Sequence, residues 1–329
     1  MTRFLVLAGL HFLLTFALLP DNVVVGHPIH HDDYANLATG VRDANLRGVR
    51  PVSTIVIAAV ADLGPQFAYA AQNLLVLLCL WLALRFVELF VRDGRPLPLA
   101  GYASAAIIAL AFPPIVDWTR YFGLLTNLSS ASFGLAAMAT MAWMAQRPAR
   151  FAAMALPLLV LVALSVLAKE DFALPMLLTA ATIAATGGGR RWVLATGGVG
   201  ALFALTLLYN RAVGSVFVSG TRAPGDPYYM DFSPLSLWAT FARMLVEPRY
   251  SRTLLWITLA VAAVAVLRVL PRRTPALRLV ALPAIALSVL APYAIFPNHA
   301  YVYYAFLPVT MLACALAAAA YAALEPARA

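Results

Sequence analysis

Apolar residues run through this chain in blocks of 16 to 25, separated by short polar turns and without the alternation of a half-buried strand. Blocks of that length approach or exceed the roughly 20 residues an α-helix needs to cross a bilayer. Ten such segments can be drawn, at 4–20, 67–91, 98–116, 122–145, 151–168, 172–187, 192–209, 253–270, 279–296 and 301–324. Helices are the expected spanning form, because lipid offers backbone N–H and C=O groups no partner outside their own segment. The pattern predicts an all-α, polytopic transmembrane bundle of about ten spans, forming one domain over 1–329 without a separate soluble domain. Long outer loops are expected at 21–66 and 210–252. Span 172–187 is short enough to be tilted or broken. Residues 51–66 are too short and too interrupted to cross, and read as a re-entrant or surface helix.

Both long loops contain an amphipathic stretch. Tyr34, Leu37, Val41 and Ala44 share one helical face in the first. In the second, Ser233 can cap and Pro234 can start a helix that puts Leu235, Trp238, Phe241 or Ala242, and Leu245 on one side. Such helices are expected to lie in the outer interface, over 34–47 and 233–247.

Composition narrows the class. Hydrophobic residues make up 63% of the chain and charged ones 11%, against about 25% in a soluble domain. A disordered chain, a disulfide scaffold and a cytosolic enzyme are excluded. Cys79 and Cys314 lie inside apolar runs, which argues against a disulfide or a thiolate metal site. Of the 23 basic residues only Lys169 is a lysine. The net charge of +9 fits the collection of arginine on cytoplasmic loops better than nucleic-acid binding, which is not expected. The turns at 85–95, 147–150, 190–191 and 268–278 hold 3, 2, 2 and 4 basic residues, against 1, 1 and 0 around 117–120, 169–171 and 297–300. That bias predicts cytoplasmic termini. No small-x-small cleavage site precedes Asp21, so the first span is expected to stay uncleaved, and the protein is expected in the inner membrane of a bacterium. Eight arginines in the two long outer segments run against the rule and ask for a reason.

Ionisable residues cluster at span ends on the outer side, where proximity to lipid makes them costly. His27, His30, His31, Asp32 and Asp33 follow span one. Adjacent carboxylates in apolar surroundings suit general-base work, although Asp33 equally suits a helix N-cap, and the group has the donors for a divalent metal. Asp117 and Arg120 follow Pro113-Pro114 and read either as a local ion pair or as a site. Lys169-Glu170-Asp171 closes span five. Pro297-Asn298-His299-Ala300-Tyr301 opens an aromatic belt of interfacial tyrosines, with His299 a candidate hydrogen-bond donor to a phosphate. Gly187-Gly188-Gly189 lacks a preceding strand and reads as a hinge rather than a phosphate loop, and the sequon at Asn127 reads as chance.

In this order and at these span ends, the clusters resemble the GT-C superfamily of membrane glycosyltransferases that use polyprenyl-phosphate-linked sugars. That superfamily includes protein O-mannosyltransferases and the aminoarabinose transferase acting on lipid A. The resemblance is carried by His31-Asp32-Asp33-Tyr34, Arg50-Pro51-Val52-Ser53, Asn73, Phe112-Pro113-Pro114-Ile115-Val116-Asp117, Ala168-Lys169-Glu170-Asp171 and His299-Ala300-Tyr301. It implies inverting transfer from a polyprenyl-phosphate donor to a glycan, lipid or protein acceptor, in contact with membrane lipids. By the same likeness Asp33 or Asp32 is the general base and Asp117 and Glu170 orient sugar or base. Lys169, Arg120, His299, Tyr301, Arg222 and Arg243 then face the lipid phosphate. A secondary transporter with proline-broken helices, or a non-catalytic subunit of an envelope glycan assembly, are the competing readings.

Overall fold

The computed structural model describes residues 2–14, 50–62, 65–115, 119, 124–212, 224–226, 229–269 and 273–324. These fold into helices and short turns, with no strand among the described residues. In chain order the helices are α1 Thr2–Phe12, α2 Pro51–Asp62, α3 Pro65–Val91, α4 Leu99–Leu110, α5 Leu125–Gln146, α6 Phe151–Ala168 and α7 Ala173–Ile183. They continue with α8 Arg190–Ala212, α9 Pro234–Phe241, α10 Arg249–Val269, α11 Arg273–Leu287, α12 Ala291–Ala294 and α13 Phe306–Leu324. Eight helical stretches among the described residues are long and apolar enough to cross a membrane: Tyr69–Val91, Leu125–Gln146, Pro148–Ala168, Glu170–Gly188, Arg190–Tyr209, Arg249–Val269, Thr274–Ala294 and Val302–Leu324. The described residues are thus all-helical, and their long apolar helices make this an integral membrane protein.

Two expected spans differ from this set. The segment 98–116 is helical only over Leu99–Leu110 and then turns. Pro113 and Pro114 account for the stop, because proline supplies no N–H and pushes the residue before it out of the α region. Twelve residues rise about 18 Å, short of a hydrocarbon core of about 30 Å. The segment 4–20 is helical over Thr2–Phe12, and its residues from 15 onward lie outside the described set.

Helices α3, α5 and α13 form the centre. In the best apolar window of each, 72%, 72% and 67% of residues are buried, against 17% for α8. Helix α5 packs between α3 and α6, and α13 packs on α10 and α4. Small residues let α13 sit there: Ala313, Ala315, Ala317, Ala318 and Ala319 are all buried, so backbones approach closely where lipid gives no hydrophobic drive for association. Outer helices α6, α8 and α10 turn leucines such as Leu156, Leu194, Leu205 and Leu267 outward, onto surface that only lipid solvates well.

The two ends of α5, a helix of 22 residues, mark the two ends of the bundle, about 33 Å apart at 1.5 Å per residue. At its C-terminal end the Gln146 amide donates to the Leu89 carbonyl, and nearby Arg278 donates to the Phe90 carbonyl at 3.0 Å. The arginine-bearing turns at 85–95, 147–150 and 190–191 gather here. Their tight geometry uses glycine where the sequence pattern placed a hinge: Gly187, between α7 and α8, has φ +103°, a conformation side chains with a Cβ resist. At the other end of α5 are Asn127 and the turn carrying Lys169.

Helix α2 covers the segment expected to be re-entrant or superficial, and it packs on α5 and α6 near the Lys169 end. Helix α9 begins as its sequence predicts. The Ser233 hydroxyl accepts from the Ser236 N–H at 3.3 Å, and Pro234 takes the first helical position. Leu235 and Trp238 are exposed on it, as an interface helix requires. The amphipathic stretch 34–47 lies outside the described residues.

Candidate functional site

The site is built on a helix end. Helix α6 stops at Ala168 because Lys169 turns to extended backbone, φ −169° and ψ 150°, leaving the last carbonyls without intrahelical donors. Serines from two neighbouring helices supply them. Ser53 of α2 donates to the Ala168 carbonyl at 2.6 Å, and Ser130 of α5 donates to the Lys169 carbonyl at 2.7 Å. The following 3-10 turn, Glu170–Phe172, is drawn against α5 at Gly134, where a Cβ would come within 2.5 Å of the Phe172 side chain. A glycine on α5 and two serines therefore decide where Lys169, Glu170 and Asp171 point.

They point inward. Lys169 and Asp171 are buried, at 7% and 0% exposure. The Lys169 ammonium donates to the Tyr293 hydroxyl at 2.6 Å and lies 3.5 Å from Asp171 Oδ2. The Tyr293 hydroxyl in turn donates to the same Oδ2 at 2.6 Å. Asn127 donates to Asp171 Oδ2 at 2.9 Å and also reaches the Tyr293 hydroxyl. Asp171 Oδ1 is buried with no hydrogen-bond partner among the described residues, so one acceptor in the cluster is left over. Arg50, just ahead of α2, donates to Glu170 at 3.3 Å. Two ion pairs thus sit side by side, with their formal charges balanced.

Burial sets the acid–base state of the cationic members. It pushes the Lys169 ammonium down to about 8 against the pull of the Asp171 carboxylate, with Arg50 adding to the depression. Burial also opposes the Arg50 charge, but Glu170 and Asp171 facing it outweigh that and hold the guanidinium above its ordinary value. His299 is pushed down to about 4, first by burial and then by Lys169 and Arg50. It is a neutral imidazole near pH 7, available as a hydrogen-bond donor and not as a cation.

The late connection joins the cluster from α11 to α13. The Tyr293 and Tyr304 rings stack with centroids 3.9 Å apart, and Lys169 lies 4.7 Å and 5.4 Å from their centres. His299 Nε2 is hydrogen-bonded with the Tyr304 hydroxyl at 2.8 Å. Helix α9 packs over this connection, against α12 and the turn Pro297–His299. Backbone bonds pin the loop before it: the Asp231 N–H donates to the Ile295 carbonyl at 2.9 Å, and the Asn298 amide donates to the Asp226 carbonyl at 2.9 Å.

Beside the tyrosines opens an apolar cavity of about 890 Å³ between α4, α10 and α13. Its lining includes Phe112, Pro113, Pro114, Tyr250, Ile257 and Val302, with Arg249 also on its wall. Val302 on the cavity wall and the buried Tyr304, stacked on Tyr293, belong to one turn, Val302–Ala305.

The sequence-expected site residues fall into three groups. Lys169, Glu170 and His299 come together, with Tyr301 stacked on Tyr303 at 5.2 Å and edge-on to His299. Arg243 is exposed on the π-turn Ala242–Val246 after α9 and is not part of the buried cluster; that turn packs on Val302–Ala305, and the arginine on the cavity wall is Arg249. Asp32, Asp33, Asp117, Arg120 and Arg222 lie outside the described residues, as do the three histidines of the possible metal group. Among the described residues no three His, Cys, Asp or Glu side chains are placed to hold a metal ion together. Asn127 and Tyr293 are the members the pattern missed. Asn127, whose sequon reads as chance, is buried at 3% exposure and bonded to Asp171. Its signal was a polar amide at the end of an apolar run. Asn73 belongs to a separate link, 3.2 Å from His11 and donating to the Tyr69 carbonyl at 2.9 Å.

The fold and the cluster together define a polytopic helical membrane protein with a buried ionisable site at one end of its bundle. Comparison with protein-family models, with curated proteins and with solved structures gives no match.

Proposed function

We propose that this protein is an inverting membrane glycosyltransferase, moving a sugar from a polyprenyl-phosphate donor to a glycan, lipid or protein acceptor at the extracytoplasmic face of a bacterial inner membrane. The observation that carries the proposal is the adjacency of a buried lysine–tyrosine–carboxylate cluster to a lipid-sized apolar cavity across the single turn Val302–Ala305. Lys169, Glu170, Asp171 and Arg50 are expensive to bury in a protein solvated by lipid, and such groups usually serve function.

In the proposed reaction the acceptor oxygen attacks the anomeric carbon from the face opposite the phosphate. A new carbon–oxygen bond forms as the bond from that carbon to the phosphate oxygen breaks, and its electron pair leaves with the phosphate. Asp33 or Asp32 takes the acceptor proton. The Lys169 ammonium and the Arg249 guanidinium stabilise charge gathering on the departing phosphate, a contribution that grows in a site screened from water. His299, neutral, donates a hydrogen bond. The polyprenyl chain lies in the cavity lined by Phe112, Pro113, Pro114 and Ile257.

The test is transfer from a radiolabelled polyprenyl-phosphate sugar by the purified protein in liposomes. Transfer by the parent chain is expected, and loss of the base through Asp32→Asn with Asp33→Asn should lower it by about 10²–10⁴. A parent protein that turns over no polyprenyl-phosphate sugar while it carries ions across the liposome membrane would overturn the reading in favour of a transporter.

A further inference from the structure

A second cavity lies at the opposite, arginine-rich end of the bundle. It measures about 770 Å³ and is lined by Thr2, Arg3, Phe4, Trp81, Arg85, Leu99 and Tyr102, where α1, α3 and α4 meet. Its floor is fixed by Glu88, which is fully buried. One oxygen accepts from the Leu97 N–H at 2.6 Å and from the Tyr102 hydroxyl at 2.7 Å; the other accepts from Arg85. Glu88 therefore orients both Tyr102 and Arg85. Arg3 lies over the Tyr102 ring, 5.6 Å from its centre. Two guanidinium groups against one carboxylate leave the cavity with one excess positive charge. The mouth is apolar: Phe4 and Leu99 are exposed, and Phe4 meets Trp81 edge to face.

We infer that this cavity binds the phosphodiester headgroup of an anionic glycerophospholipid, with Arg3 and Arg85 facing the phosphate and an acyl chain leaving along Phe4, Trp81 and Leu99. Charge and place choose this occupant. Basic pockets between spanning helices suit lipid phosphates, and paired arginines present planar donors to phosphate oxygens. The exposed Phe4 and Leu99 would be poorly solvated by water but well solvated by an acyl chain. Trp81 beside the guanidinium groups matches the amphipathic depth of a headgroup. The site stands apart from the transferase reading and does not depend on it.

The experiment uses the full chain in detergent, titrated with phosphatidylglycerol or phosphatidylcholine and followed by native mass spectrometry. One phosphatidylglycerol is expected to be retained more tightly than phosphatidylcholine. Arg3→Gln, which leaves the Arg85–Glu88 pair intact, should weaken phosphatidylglycerol about five-fold, the share of one basic side chain near a lipid surface. Phosphatidylcholine should be unaffected, and Arg3→Lys should restore most of the loss. Equal binding of the two lipids, or a preference unchanged by Arg3→Gln, overturns the site. Displacement of the lipid by an equal concentration of glycerol 3-phosphate overturns it too, since the cavity would then be a pocket for soluble phosphates. A second measurement needs no charge variant. Phosphatidylglycerol brominated in its acyl chain should quench the emission assigned to Trp81, by difference from Trp81→Phe, more than brominated phosphatidylcholine does. Equal quenching counts against the site.

Discussion

Replacing Lys169 by methionine keeps the length of the side chain and removes a single charge. That charge lies 3.5 Å from Asp171 Oδ2 and 2.6 Å from the Tyr293 hydroxyl, in a setting where Asp171 has no exposed surface. Removing one partner of a buried ion pair typically costs about 3–5 kcal/mol, because the remaining charge is left without compensation. The folding equilibrium should therefore fall by about 10²- to 10⁴-fold. Asp171 is poorly placed to absorb the loss: its Oδ2 keeps Asn127 and Tyr293, but Oδ1 has no partner among the described residues. The double variant Lys169→Met with Asp171→Asn removes both charges, and its stability should return most of the way to that of the parent. Unfolding equilibria in bicelles for the parent, both single variants and the double measure the coupling directly. A Lys169→Met cost below about 1 kcal/mol, the size of an exposed pair, would refute the reasoning. A double variant no more stable than the single would do the same.

The same lysine gives two pH responses of opposite sign. In the folded chain it titrates at about 8, down from an ordinary 10.5. Between those values the unfolded chain holds a proton the folded one has released, so its contribution to stability rises with pH, while the cation offered to a lipid phosphate disappears. Polyprenyl-phosphate binding should therefore decline above about pH 8 without a matching fall in unfolding midpoint, and Lys169→Arg should remove the decline; binding flat to pH 10 would exclude Lys169 as the phosphate's partner. Gly134→Ala places a methyl group within 2.5 Å of a fully buried Phe172. Overpacking of that kind costs about 1–3 kcal/mol and should displace the Lys169 turn, so both stability and donor binding are expected to drop. An alanine variant indistinguishable from the parent in both would show that the turn is not held there.

The polar clusters were legible as residue types and not as partners. Lys169 stood out as the one lysine among arginines, and Ser233-Pro234 announced the start of α9 because capping is a local interaction. Asn127 offered only a polar amide at the end of an apolar run, and Tyr293 carried no local mark. Each sits within or beside an apolar run, and each gains meaning only from Asp171, 44 and 122 positions away. Arg243 lies exposed on the turn after α9, and Arg249, six residues on, is the arginine on the cavity wall.

What the amino-acid order determined alone is the solvent this chain requires and the helices that follow from it. Long apolar runs must close their own backbone hydrogen bonds in lipid, and the Pro113-Pro114 pair stops a helix short of a full span. Tertiary structure decided which span ends meet and which stay apart. In a bundle of apolar helices hydrophobicity does not select neighbours, since lipid solvates every leucine equally well. Close packing at Gly134, the alanines of α13 and the serine bonds to the end of α6 make that selection, and they are readable only once the helices are side by side.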